Sequence, residues 1–173
     1  MKYFISAAVL LCLLALAAGF TSQPATRIGV YDSRAIAIAY GNSNEMKEFI
    51  GGLRTDLAKA KDAKDEKKAN EIELKGRTAQ VLAHLQAFSI GSVAEILAKH
   101  KSEVNEIAKE LKVEAIVSKH ELMCLGSGVE TVDVTAQLCK IFKPSDQAMK
   151  WIADVPNHQP LPMLDVLLLP AEQ

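Results

Sequence analysis

The sequence lacks the short motifs that accompany most catalytic and metal sites. Its 173 residues contain no glycine-rich phosphate loop, no nucleophile elbow and no zinc-type spacing of Cys and His. Four histidines are scattered along the chain, at His84, His100, His120 and His158. These absences argue against an enzyme, and the sequence predicts no catalytic residue, no cofactor and no metal.

The chain also lacks an excess of charge of either sign. It has 20 Lys and Arg residues against 21 Asp and Glu residues, a formal net charge of −1 at pH 7. Such a balance gives no long-range attraction to nucleic acid or to anionic lipid. We therefore expect no nucleic-acid partner, and membrane contact only transiently through the N-terminal segment considered below.

Cysteine is scarce as well, with three residues in the chain. Cys12 belongs to an N-terminal apolar run, which leaves Cys124 and Cys139 in the remainder. Two cysteines do not make a disulfide scaffold, although an exported chain can form a single bridge. Cys124 lies in an apolar run and Cys139 on the apolar side of a predicted helix. We interpret both as small buried hydrophobic residues, with a disulfide as the alternative.

What the chain does have is a secretory-type start. The basic residue Lys2 is followed by an unbroken apolar run, Phe4–Ala18, and small residues gather between Ala15 and Gly19. This layout predicts a signal peptide over residues 1–19. The run is about 15 residues long, short of the roughly 20 that span a bilayer, although an uncleaved anchor is the alternative. We therefore expect an exported, periplasmic protein.

A strand and a short helix are predicted next. "RIGVYDS" indicates a strand with Ile28 and Val30 on one face. "SRAIAIAYGN" alternates like a strand, but its alanines and a potential cap at Ser33 favour a helix. Loop residues after strands often carry function, which makes Asp32 and Arg34 one possible site. We interpret them as local partners of a Ser33 cap.

The middle of the chain, residues 44–111, reads as helical and carries apolar seams at both ends. The first seam repeats at spacings of four, three and four residues, and consists of Met46, Ile50, Leu53 and Leu57. The second follows a capping box at Ser92 and Glu95, and consists of Val93, Ile96, Leu97, Val104, Ile107 and Leu111. A single straight helix of this length would reach about 100 Å and bury neither seam. The pattern therefore predicts a coiled-coil-like hairpin in which the first seam packs on the second.

The hairpin must reverse between Lys61 and Arg77. Gly76 is the strongest single helix breaker in that interval, and we expect the turn there. The charged run "KDAKDEKK" is the alternative position. Its alanines are the only apolar residues, so this part of the arm is expected to be solvated.

Residues after the arm predict a small β-containing base. "VEAIVSK", "ELMCL" and "VETVDVT" indicate three short strands, with a Gly-Ser-Gly turn before the last. Two short helices follow, the first capped by Asp133 or Thr131 and the second with Met149 and Ile152 facing inward. A proline-punctuated apolar tail, residues 156–173, ends the chain and either wraps the body or docks on another subunit.

The fold class that follows is α+β, a small sheet with a long inserted helical hairpin. The strand before the arm and the strands after it pair into one base, formed by residues 27–43 and 112–155. Apolar side chains there exceed what two short helices cover, namely Ile116, Leu122, Leu125 and Val132. A small sheet also has exposed edges. We therefore expect self-association through the base.

This arrangement resembles the OmpH/Skp family of periplasmic chaperones. The resemblance rests on "RIGVYDS" and on the closing segment, where a helix runs into a strand, a small hairpin and an Asp-x-Thr helix start, here Asp133-Val134-Thr135. It implies a homotrimer whose arms hold unfolded outer-membrane proteins without ATP. The chain departs from the family in its shorter arm, its near-neutral charge and its tail. The alternative is an oligomeric cell-envelope scaffold that binds one folded partner.

Overall fold

The structure, a computed structural model, describes residues 25–169. The predicted signal peptide, residues 1–19, and the last four residues of the tail lie outside the described part. Within it, the predicted combination of helices with a small sheet is confirmed. The helices are α1 (Ser33–Gly41), α2 (Asn44–Asp62), α3 (Glu66–Phe88), α4 (Ala94–Lys99), α5 (Lys101–Leu111), α6 (Thr135–Lys140), α7 (Asp146–Asp154) and α8 (Met163–Leu167).

The sheet joins the start of the chain to the segment after the arm, as predicted. Its strands are β1 (Thr26–Tyr31), β2 (Ala115–Ser118) and β3 (Val129–Asp133). They lie in the order β2-β1-β3, and β1 pairs in parallel with both neighbours. The central strand, β1, is therefore the first strand of the described chain, and both strands that follow the arm pair with it.

The predicted strand "ELMCL" and the small hairpin implied by the family resemblance are wrong. Residues 119–128 form a connection without strand structure. Because β2 and β3 lie on opposite sides of β1 and run the same way, this connection must cross the sheet, which a tight turn cannot do. Cys124 is exposed in this connection, contrary to the predicted burial, whereas Cys139 is buried as predicted; both thiols are free.

Helix α1 lies at the centre of the fold, and its prediction as a helix is confirmed. Its alanines and Ile36 are buried on several sides, where α1 contacts α2, α3, α6 and α7. The small alanine side chains allow these helices to approach closely. The helix is capped by Asp32 and not by Ser33, since the Asp32 side chain accepts a hydrogen bond from the backbone N–H of Arg34.

Helices α2 and α3 form a helical hairpin that turns within the charged run. The turn lies between Asp62 and Glu66, so the alternative position is confirmed and the turn at Gly76 is wrong. Asp65 is the N-cap of α3, because its side chain accepts a hydrogen bond from the backbone N–H of Lys68 at 3.0 Å. Gly76 lies inside α3, where the helix tolerates it.

The predicted pairing of the two seams is not found, and the coiled-coil hairpin over residues 44–111 is not confirmed. The first seam is half-buried against α3. The second covers the base: Val93, Ile96 and Leu97 belong to the core, and Val104, Ile107 and Leu111 pack against it. A sharp turn at Gly91 separates α4 from the hairpin. A Cβ on Gly91 would lie 2.8 Å from the Leu85 carbonyl, so only glycine fits there.

The tail wraps the body over its described residues. The backbone N–H of Leu161 donates to the Phe88 carbonyl at 2.8 Å, and Ser89 Oγ donates to the Leu161 carbonyl at 2.7 Å. Val166 of α8 is buried, while most of the other apolar tail side chains are exposed. Of the two predicted roles, the structure therefore places the tail on its own body. Met149 and Ile152 of α7 face inward, as predicted.

Candidate functional site

A cluster of polar and charged side chains lies at the carboxyl edge of the sheet, the side on which all three strands end. Asp32 follows β1, Lys119 and His120 follow β2, and Thr135 follows β3. Because the strands are parallel, their carboxyl ends share this edge, the usual position of ligands in open α/β sheets. The backbone N–H of Asp32 donates to Thr135 Oγ1 at 3.1 Å, which joins the central strand to the start of α6.

Asp32 and Arg34 form a buried, two-point ion pair at the centre of this cluster. Arg34 Nη2 lies 2.7 Å from Asp32 Oδ2, and Arg34 Nε donates to Asp32 Oδ1 at 3.1 Å. Both residues are 4% exposed. Arg34 also donates to the carbonyls of His158, at 2.6 Å, and Val155, at 3.3 Å. The pair therefore fastens the tail to the end of β1, and each buried charge has partners.

Two further side chains reach Asp32 from the end of β2. Lys119 Nζ lies 2.6 Å from Asp32 Oδ2, and His120 Nε2 lies 3.4 Å from Asp32 Oδ1. The Lys119 side chain is 41% exposed, so its ammonium group also faces solvent. Because Arg34 already balances the charge of Asp32, Lys119 adds positive charge at this edge.

Asp32 stays ionised across the ordinary pH range. Burial by itself would raise the pKa of Asp32, but hydrogen bonds from Arg34 and Lys119 outweigh it and hold the pKa far below its usual range. The carboxylate is therefore a fixed negative charge that orients the surrounding donors. A group so strongly held does not exchange protons at neutral pH, which argues against a role for Asp32 as a general base.

A cavity of about 450 Å³ opens beside the cluster. One wall is apolar and consists of Ala35 of α1, Met149, Ile152 and Ala153 of α7, and Val155. A second wall, formed by the strand ends and α6, is mixed: it has the polar residues Asp32, Lys119, Asp133, Thr135 and Gln137 together with Val30, Tyr31 and Ala136. Asp133 Oδ1 accepts from the backbone N–H of Thr135 at 2.8 Å, although the N-cap position of α6 is occupied by Val134 and not by the predicted Asp133 or Thr131. The cavity has the size and mixed lining of small-molecule sites.

The thiol near this edge is not set up as a nucleophile. Cys139 is fully buried, and burial together with the charges of Asp133 and Asp32 raises the pKa of Cys139 to about 12. A thiol with so high a pKa carries almost no thiolate at neutral pH. Over residues 25–169, no three His, Cys, Asp or Glu side chains are grouped to hold a metal ion.

A second candidate surface is apolar and lies on the outside of the arm and tail. Leu74, Val81 and Phe88 recur every seven residues along α3, and Leu74 is 59% exposed. We call these three side chains the arm stripe. Helix α8 contacts α3 near the end of the stripe. It adds the tail patch, a second set of exposed side chains that consists of Met163, Leu164, Leu167 and Leu168.

The structure distributes the predicted base residues differently from the prediction. Ile116 of β2 and Val132 of β3 lie on either side of Gly29 in the central strand and pack against the core of their own chain. Leu122 and Leu125 lie in the crossing connection between β2 and β3, where Leu125 is exposed. The four residues therefore do not form the single apolar surface that was predicted for self-association.

Sequence reasoning missed the contribution of Lys119 and His120 to this edge. Lys119 ends a predicted strand and His120 follows it, so their positions carried a usable signal. Their proximity to Asp32 depends on β1 and β2 being parallel, and the family resemblance did not specify this. Asp32 and Arg34 were correctly interpreted as local partners, but their link to the tail spans more than a hundred residues.

Comparison with protein-family models, curated proteins and solved structures found no match for this chain. Among the helices of residues 25–169, none combines the length and apolarity that a membrane span needs.

Proposed function

We propose that the chain is an exported, ATP-independent chaperone-like protein of the OmpH/Skp type, which holds unfolded outer-membrane or other envelope proteins in the periplasm. The order of elements supports the proposal: a strand, a short helix, a helical hairpin, two further helices, two strands and a helix. The observation that carries it is the exposed arm stripe. Leu74, Val81 and Phe88 are exposed along α3, outside the buried core cluster.

The arm stripe suits an extended or partly helical client. Its first and last side chains are 14 residues apart on α3, about 21 Å along the helix axis. Another side of α3 is already occupied by α1 and α2. The stripe is therefore apolar surface that the described chain leaves exposed, and a client could cover it. Binding that uses only this surface requires no nucleotide.

Suppression of aggregation tests the proposal. An unfolded outer-membrane β-barrel is diluted from urea with and without the protein, and light scattering is followed. We expect the wild-type protein to suppress scattering, and the triple variant Leu74→Gln, Val81→Gln, Phe88→Gln to lose most of that effect. The matched control replaces exposed polar residues of the same helix, Arg77→Gln and Thr78→Gln. Absence of suppression by the wild-type protein at several-fold molar excess would refute the chaperone assignment.

Self-association into a homotrimer belongs to the same proposal. Strands β2 and β3 each pair on one side only within the described chain, so two sheet edges are open. Ile28, Val30 and Val117 are half-buried and lie outside the core cluster, although parallel sheets are normally covered on both faces. Pairing of bases between subunits would cover these edges. Sedimentation equilibrium at tens of micromolar tests this, and a monomer would contradict it.

The tail patch supports the alternative, a scaffold that binds one folded partner. Helix α8 is anchored on α3 yet presents Leu164, 66% exposed, and Leu168, 74% exposed, to solvent. A fixed apolar patch suits a fixed complementary surface. Pull-downs with wild type and with Leu164→Ser, Leu168→Ser separate the two functions. One discrete partner lost in the variant favours the scaffold, whereas a broad set of unfolded proteins retained by the variant favours the chaperone.

A further inference from the structure

The cavity at the carboxyl edge of the sheet is not used by the proposed chaperone function. It lies where β1 and β3 end, and α6 and α7 close its sides. Its volume, about 450 Å³, falls within the range of small-molecule sites. Its position is the one at which open parallel sheets bind ligands, because strand ends and the following loops bring polar groups together there.

The two walls of the cavity select an amphipathic molecule. Ala35, Met149, Ile152 and Val155 offer an apolar wall built on two packed helices. This wall lies next to the core cluster, which contains Ala35, Ile152 and Val155 and against which Met149 packs. An apolar body would be held there by exclusion of water. The polar groups lie on the other side, so the ligand must also carry a polar end.

The charge of the polar end follows from the ion pairs around Asp32. Arg34 makes two contacts to the Asp32 carboxylate and balances its charge. Lys119 also contacts the same carboxylate, at 2.6 Å, although Arg34 already balances its charge, and the Lys119 side chain is 41% exposed. An ammonium group has three N–H donors, so two remain for other acceptors. Lys119 therefore offers an anion a charge and donors at the edge of the cavity.

Thr135 and Asp133 refine the position of the polar end. Thr135 Oγ1 accepts from the Asp32 backbone N–H, so its own O–H proton is directed elsewhere and can donate to a ligand oxygen. Asp133, whose Oδ1 is held by the Thr135 backbone N–H, carries the other negative charge of this wall. Its charge disfavours an anion beside it, so the anionic group lies toward Lys119.

We propose that this cavity binds a small molecule with an apolar body and one carboxylate. The carboxylate contacts Lys119 Nζ and the Thr135 hydroxyl, and the apolar body lies against Met149 and Ile152. Asp32 and Arg34 are positioning residues, since they fix Lys119 and the end of β1 without contacting the ligand. This site is independent of the arm stripe and the tail patch.

Calorimetric titration of the full chain with two matched probes tests the proposal. The probes are 4-methylpentanoate and its uncharged analogue 4-methylpentanamide, which share the same apolar body. We expect saturable binding of the carboxylate and at least about tenfold weaker binding of the amide, since a charge-assisted hydrogen bond is lost. Equal affinity for both probes, or no saturable binding of the carboxylate up to about 10 mM, would overturn the proposal.

Variants then assign the binding to the cavity. Lys119→Met should weaken carboxylate binding at least about tenfold and leave the weak amide binding unchanged, whereas Lys119→Arg should retain carboxylate preference. Lys140→Met, on the exposed side of α6, is the matched control. Ala153→Trp places a large ring in the cavity and should abolish binding of both probes. Circular dichroism confirms folding of each variant, and unchanged carboxylate affinity in Lys119→Met would exclude the site.

Discussion

The base and the arm are built from similar apolar residues but bury them to different extents. In the base, Ile36, Val134 and Leu138 are completely buried, and Asp32 and Arg34 are almost so. In the arm, the first seam is only half-buried, and the arm stripe is exposed. Apolar content therefore does not distinguish the two regions; the number of helices packed around each side chain does.

This difference separates stability from binding. The base has one helix, α1, surrounded by α2, α3, α6 and α7, so each of its side chains meets several elements. The arm is a pair of helices, and a pair can bury only the face along which its helices meet. We infer that stability resides in the base. The arm stripe can contact a client because its side chains remain exposed although other parts of α2 and α3 pack on α1.

The largest difference in stability between base and arm should follow removal of the Asp32 carboxylate in the base. Asp32→Ala leaves the buried Arg34 guanidinium without its carboxylate and removes the cap of α1. We expect a loss of about 3–5 kcal/mol in the free energy of unfolding, measured by urea denaturation. Asp56→Ala on the exposed face of α2 is the control and should change stability by less than about 0.5 kcal/mol. Similar losses for both variants would contradict the contrast between base and arm.

Paired leucine truncations give the next largest effect. Leu138 is fully buried in the base, and Leu138→Ala should cost about 2–5 kcal/mol. Leu53 is half-buried between α2 and α3, and Leu53→Ala should cost only about 1 kcal/mol. Thermal and urea unfolding of the two variants measure the difference. A larger loss for Leu53 than for Leu138 would mean that the arm, and not the base, holds the fold.

Local signals in the sequence predicted most elements of the fold. Alanine content marked α1, and alternation with β-branched residues marked β1, β2 and β3. The pairing of elements was less accessible. The apolar residues of the first seam could pack either on α3 or on the second seam, which begins at Val93. No local feature of the sequence distinguished these two partners. The deciding feature was the tight turn at Gly91, which depends on contact with the Leu85 backbone.

The candidate site was predictable only in part, for a related reason. Asp32 and Arg34 are neighbours in sequence, so their interaction was anticipated. The approach of Lys119 depends on the parallel register that places Tyr31 beside Ser118. The relative direction of two strands depends on the path of the whole chain between them. The residues of either strand therefore do not show whether the two pair in parallel.

Acid unfolding extends the comparison to charge. The folded-state pKa of Asp32 lies below the unfolded value of about 3.9, so its contribution is present above that value and is lost as pH falls. We expect the wild-type protein to lose stability below about pH 5. Asp32→Asn should flatten that loss in urea titrations at successive pH values. The stability that the wild-type protein loses in acid through Asp32 should be smaller than the loss caused by Asp32→Ala, because a protonated Asp32 keeps part of its hydrogen bonding.

A turn substitution probes the boundary between the two regions. A methyl group on Gly91 would meet backbone atoms of Leu85 and Gln86 at 2.8 and 2.9 Å, and backbone cannot move aside as a side chain can. We expect Gly91→Ala to destabilise the protein by about 1–3 kcal/mol in urea unfolding. Gly51→Ala, with open space around its Cβ position, is the matched control. No loss in Gly91→Ala would show that the turn adjusts freely.

The smallest expected effect is a gain in the arm. Gly76 lies inside α3, and nothing comes within 4 Å of the position its Cβ would occupy. Gly76→Ala should therefore stabilise α3 by about 0.5–1 kcal/mol, since alanine loses less backbone freedom in a helix. If the arm unfolds separately from the base, hydrogen exchange of α3 amides should slow while exchange of β1 amides stays unchanged. Equal slowing in both regions would mean that arm and base open together, and the separation of binding from stability would then not hold.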